Sequence, residues 1–109
     1  MTLTNAPILE SENLILRGPE KEDAEKVISF LLDENRSRGF GSSPDRSDAW
    51  RWFSTNVGHW HWHGYGYFMI ETKLGEVAGM SGIWNPEGWP EPEVGWAVFD
   101  KFEGKSIAY

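Results

Sequence analysis

The chain has 109 residues, a formal charge of −7 and no cysteine, which fits one small domain and excludes a disulfide framework, a zinc-thiolate centre and a thiol nucleophile. Its 17 acidic and 10 basic residues form no block of like charge, a balance that runs against nucleic-acid or anionic-membrane surfaces and suits cationic partners such as amines. No run reaches the roughly 20 apolar residues of a membrane span, and the polar start lacks the pattern of a signal peptide, so the residues read as a cytoplasmic protein.

Ile8 to Glu10 and Leu14 to Arg17 are short extended segments, closed by Gly18-Pro19. From Glu20 to about Asp33 the period changes: Ala24, Val27, Ile28 and Leu31 fall on one helical face, and Glu20, Glu22 and Asp23 sit in the first turn, where they complement the helix dipole. A loop rich in glycine and serine follows, from Asn35 to Pro44. Asp45 or Ser47 caps a second helix over about Arg46 to His63 that Gly64 ends. Trp50, Phe53, Val57 and Trp60 give that helix an aromatic face, and Trp52, Asn56, His59 and His63 line an adjacent polar-aromatic stripe. Gly66 to Thr72, the turn Lys73-Leu74-Gly75-Glu76 and Val77 to Trp84 read as an antiparallel hairpin, in which Gly79 and Gly82 invite a bulge or close backbone approach. Glu93 to Phe99 is the next strand, followed by a polar turn and a glycine-led helix start at Glu103 to Tyr109. The order predicts an α+β domain with an antiparallel sheet.

A strand running through a glycine turn into a helix N-terminus offers free N–H groups to phosphate. On a strand, His59, His61 and His63 would share one face and could bind a metal; at helical period only His59 and His63 do. The expected metal content is therefore none, with the three histidines read as partly exposed cover at the helix end.

Several segments, in this order, resemble the GCN5-related N-acetyltransferase (GNAT) family, in particular the branch of ribosomal-protein N-terminal acetyltransferases. Glu12 to Arg17 is similar to that branch's opening strand, Glu22-Asp23-Ala24 and Ser47 to Trp50 to its first two helix starts, and Gly79 to Trp84 and Glu93 to Val98 to its third and fourth strands. Glu103 to Ala108 resembles its pyrophosphate motif, which runs Gln or Arg, two variable residues, Gly, one variable residue, then Gly or Ala. Glu103 and Ser106 depart from that pattern, while Gly104 and Lys105 are retained.

The resemblance implies acetyl transfer from acetyl-CoA, by direct attack, to an amine or a peptide or protein N-terminus. It places cofactor contacts at Val98 and Phe99 (pantetheine) and at Glu103, Gly104, Lys105, Ser106, Ile107 and Ala108 (pyrophosphate). It covers the family's N-terminal portion, as far as the start of the third main helix, so the 109 residues by themselves are expected to be inactive. Glu93 is the candidate base: its strand phase separates it from Val94, Trp96 and Val98, and its neighbours in phase, Gly95 and Ala97, are small enough to leave a cleft. The competing reading is a catalytically silent ligand-binding or dimerisation module using Trp62, Trp84 and Trp89, and a homodimer stays open under either.

Overall fold

The computed structural model describes residues 3–99. Its element order is β1 (Leu9–Glu10), β2 (Leu14–Arg17), a 3₁₀ turn (Lys21–Asp23), α1 (Ala24–Leu32), α2 (Arg46–His63), β3 (Tyr67–Thr72), β4 (Val77–Trp84) and β5 (Glu93–Val98). The strands form one antiparallel sheet in the order β1-β2-β3-β4-β5. The pyrophosphate-loop residues Glu103, Gly104, Lys105, Ser106, Ile107 and Ala108 lie outside the described residues.

The first helix begins later than its sequence pattern suggests. The Asp23 carboxylate accepts from the Glu20 N–H at 2.7 Å, and the Asp23 N–H donates to the Glu20 carbonyl at 2.9 Å, so the first turn is drawn into a 3₁₀ loop. The same carboxylate faces Arg17 of β2 at 2.8 and 3.0 Å. Arg17 also reaches Glu71 of β3 at 2.7 Å and the Gly18 carbonyl at 3.1 Å, which ties two strands to the head of α1. Hydrogen bonds to Asp23 first, then to Glu71, and the charge of Asp23 and Glu20 outweigh burial and hold the guanidinium well above its usual range.

Helix α2 has the expected ends. Asp45 accepts from the Asp48 N–H at 2.9 Å, and Gly64, at φ +80°, closes the last turn through its N–H to Trp60. Its buried face differs from the expected one. Trp50 is 57% exposed, and Ala49, Phe53, Asn56, His59 and Trp60 are buried instead. The polar residues are admitted because the sheet satisfies them. Asn56 donates to the Tyr67 carbonyl at 3.1 Å and accepts from the Tyr67 N–H at 2.9 Å, and the Trp60 indole donates to that carbonyl at 3.0 Å. The start of β3 is thereby pinned to α2.

Both helices lie on one sheet face, where Val27, Ile28, Leu31 and Phe53 pack with Met69, Met80, Ala97 and Phe99. In β5 the helix-facing positions are Glu93, Gly95 and Ala97; Val94 and Trp96, on the other face, are 73% and 57% exposed. The hairpin carries the anticipated irregularity, a register shift between Ile70 and Glu71 opposite Val77 and Gly79. A Cβ on Gly82 would sit 2.1 Å from the Gly66 carbonyl oxygen, so only glycine fits that crossing.

Candidate functional site

The connection from α1 to α2 is a built wall. Ser37, fully buried, bonds the Asp33 carbonyl at 2.8 Å and Ser42 Oγ at 2.7 Å, while the Ser43 N–H donates to the Leu31 carbonyl at 2.9 Å. These bonds hold Phe40 over the sheet. Its ring centroid lies 5.7 Å from Phe30, 5.4 Å from Trp52 and 5.3 Å from Tyr67, the edge-on and tilted spacings favoured by aromatic quadrupoles.

Below Phe40 opens a cleft of about 940 Å³. Its floor is Tyr67, Trp84 and β5 from Glu93 to Val98, and its sides are Asp48 and Trp52 of α2, Arg36 and Phe40 of the loop, and Pro86 and Trp89 of the β4–β5 turn. Glu93 is exposed, pairs across the sheet with Trp84 and lines this cleft. Beside it, Gly95 makes room for Tyr67: a Cβ there would lie 2.1 Å from the tyrosine oxygen. Tyr67 as a whole is 6% exposed. Burial first, and the Glu93 charge second, raise its pKa to about 12, so it stays protonated at neutral pH.

Gly95 and Ala97 thus share the cleft face with Glu93, as their strand phase implies. The sequence reading missed Tyr67, Phe40 and Asp48. A large apolar residue between two glycines, Gly39-Phe40-Gly41, was the available sign for Phe40; nothing local marked the other two.

Val98 pairs with Gly79, and the Phe99 N–H donates to the Ala78 carbonyl at 2.8 Å. In an antiparallel ladder alternate residues bond the same neighbour, so the Val98 N–H and carbonyl point away from β4, toward an edge with no partner among the described residues. Phe99 is buried, with its ring 5.3 Å from Phe30.

The histidines part company on the helix. His61 Nε2 bonds the Leu3 carbonyl at 2.8 Å. His59 is buried under Trp84, stacked at 4.5 Å, and Trp84 stacks in turn on Trp52 at 5.2 Å. Trp84 is therefore core and cleft floor, at 7% exposure, whereas Trp62 and Trp89, at 85% and 41%, are outward. Among the described residues no group of three or more His, Asp or Glu could hold a metal ion.

His59 Nε2 accepts from the Asn85 N–H at 2.9 Å, which obliges Nδ1 to donate to the Tyr65 carbonyl at 2.7 Å. The ring is neutral, and its pKa is lowered by burial and then by the charge of neighbouring His63, against the Tyr65 bond. A depressed histidine favours the fold where it is neutral, so its contribution is full above the ordinary value of 6.5 and is lost as pH falls through the folded value. Urea titrations from pH 8 to pH 5 are expected to show a fall in stability below about pH 6.5 that His59→Gln flattens; an unaltered slope would contradict this role.

Residues 13–109 match the acetyltransferase (GNAT) domain family. An acetyltransferase from Agrobacterium tumefaciens superposes with a TM-score of 0.85 at 33% identity, over 94% of this chain and 60% of that one. The ribosomal-protein-S5-alanine acetyltransferase of Vibrio fischeri gives 0.58 at 19%, over 93% and 60%. The microcin C7 self-immunity acetyltransferase MccE, in complex with acetyl-CoA and AMP, gives 0.64 at 18%, over 97% and 62%. The chain spans about three fifths of the length of each. No curated protein matches it.

Proposed function

Because the chain belongs to the GNAT acetyltransferase family, matched over residues 13–109, we propose that it acts in a cytoplasmic N-acetyltransferase that moves an acetyl group from acetyl-CoA to an amine or peptide N-terminus. The observation that carries this reading is Glu93, at the wall of an aromatic cleft and beside the buried Tyr67 side chain, on a strand whose other edge has no partner among the described residues. Bound acetyl-CoA supplies the acetyl group as a thioester. Glu93, directly or through one water, takes the proton from the acceptor ammonium. The neutral nitrogen then attacks the carbonyl carbon; the C–N bond forms, the C–S bond breaks, and the second proton that the nitrogen sheds ends on the departing thiolate.

The outward amide of Val98 suits a pantetheine arm, which pairs with a strand edge as a peptide would, and its N–H is placed to polarise a carbonyl. Phe99, with its amide bound to Ala78 and its ring in the core, fixes the strand end that presents Val98. We assign the pyrophosphate to Glu103 through Ala108, with backbone N–H groups, Lys105 and the Ser106 hydroxyl as donors.

A ligand that binds the native state stabilises it by mass action, about 2.7 kcal/mol at a hundred times its Kd. Acetyl-CoA is expected to raise the melting temperature of the intact protein in a concentration-dependent way. A melting temperature indifferent to millimolar acetyl-CoA would sink the proposal.

A further inference from the structure

Phe40, Trp52, Tyr67, Trp84 and Trp89 line the cleft, with Ser42 and Ser43 beside them. Its volume, about 940 Å³, falls in the roughly 300–1,000 Å³ range of small-molecule sites. Its charged lining is Asp48, Glu93 and Arg36, and Arg36 is ion-paired with Asp33 at 3.3 Å. Carboxylates over π-faces select cations that carry an apolar body.

Tyr67 supplies a second, independent observation. It is 94% buried by its 6% exposure, yet its hydroxyl has no hydrogen-bond partner among the described residues, and its oxygen is not sealed from solvent, since no buried side-chain oxygen or nitrogen there goes unpaired. The oxygen lies over Gly95, next in phase to Glu93, and so opens on the cleft. Bonds between its backbone and the side chains of Asn56 and Trp60 fix its strand position. A hydroxyl held in place, without a partner among the described residues and open on the cleft, can bond a ligand there.

We propose that the acceptor is a primary amine on a flat apolar body, with its nitrogen held between Glu93 and the Tyr67 hydroxyl and its body between Trp52 and Trp89. The proposal rests on the acetyltransferase reading for the fate of the amine, but not for its binding. Tyr67 is a positioning residue: its oxygen accepts one N–H and fixes the nitrogen beside Glu93.

The test uses the intact protein and three probes. Phenethylamine has cation and body, 2-phenylethanol the body alone, and ethylamine the cation alone. Titration by tryptophan fluorescence without acetyl-CoA is expected to show phenethylamine binding at least tenfold tighter than either partial probe. With acetyl-CoA, kcat/KM for phenethylamine is expected to exceed that for a tripeptide amide at least tenfold. Tyr67→Phe, which removes a hydroxyl with no bond among the described residues, should leave the melting temperature unchanged and raise KM for phenethylamine several-fold, with KM for acetyl-CoA unmoved. Equal binding of the three probes, or preference for the tripeptide, overturns the acceptor assignment while leaving acetyl transfer intact. Tight phenethylamine binding with no transfer to any amine supports the site and overturns the acetyltransferase reading. An unchanged KM in Tyr67→Phe overturns the role of the hydroxyl.

Discussion

Glu93→Gln in the intact protein is expected to lower kcat/KM for acetyl transfer by about 10² to 10⁴, the usual worth of a positioned general base. The substitution keeps the side chain's shape and removes only its ability to take a proton. Glu93 is exposed, and its backbone pairs with Trp84 whatever the side chain, so the fold should be untouched and acetyl-CoA should bind as before. The acidic limb of the pH–rate profile should change with the rate, because the wild-type limb reports protonation of the base. Rate and profile both unchanged would remove Glu93 from the chemistry.

Asp23→Ala is expected to destabilise the fold by about 3–5 kcal/mol, as does breaking a buried ion pair by removing one member. The Asp23 side chain is 3% exposed and that of Arg17 13%, so Arg17 loses its bidentate partner and keeps Glu71 at 2.7 Å and Glu20 at 3.9 Å, while the Glu20 N–H loses its acceptor. Urea denaturation should show a lower midpoint with unchanged slope. The double variant Arg17→Met with Asp23→Leu should recover part of the loss, since two apolar groups need no partner. A single variant within 1 kcal/mol of the parent, on the order of a surface salt bridge, would show that the pair contributes little.

Much of this architecture is legible in the sequence because local rules agree with the tertiary result. Asp45 and Gly64 bracket α2 by side-chain capping and left-handed backbone, and the β3–β4 hairpin follows from two apolar runs around a glycine turn. The rotation of α2 is not legible. Trp50 and Trp52 head two stripes of similar aromatic content, and the sheet decides between them by supplying the Tyr67 backbone to Asn56 and the Asn85 and Tyr65 backbone to His59. Such pairings lie beyond any periodicity, since they make a polar residue a core residue. The late start of α1 has the same origin, a carboxylate shared with a distant strand.

Half of the cleft was visible in β5, where strand phase puts Glu93 with Gly95 and Ala97. The other half depends on sequence-distant packing. Tyr67 reaches over Gly95 only because β4 lies between their strands in register, and Phe40 is delivered by a loop folded on its own serines.

The most direct measurement is acetyl transfer itself. The intact protein is incubated with acetyl-CoA labelled in the acetyl group and a primary amine, and both amine and protein are weighed by mass spectrometry. Label on the amine nitrogen, lost with Glu93→Gln and never retained on the protein, is the predicted result, because direct attack passes through no acyl-enzyme. An unlabelled amine, with a protein that dimerises tightly whether or not coenzyme A is present, would contradict it.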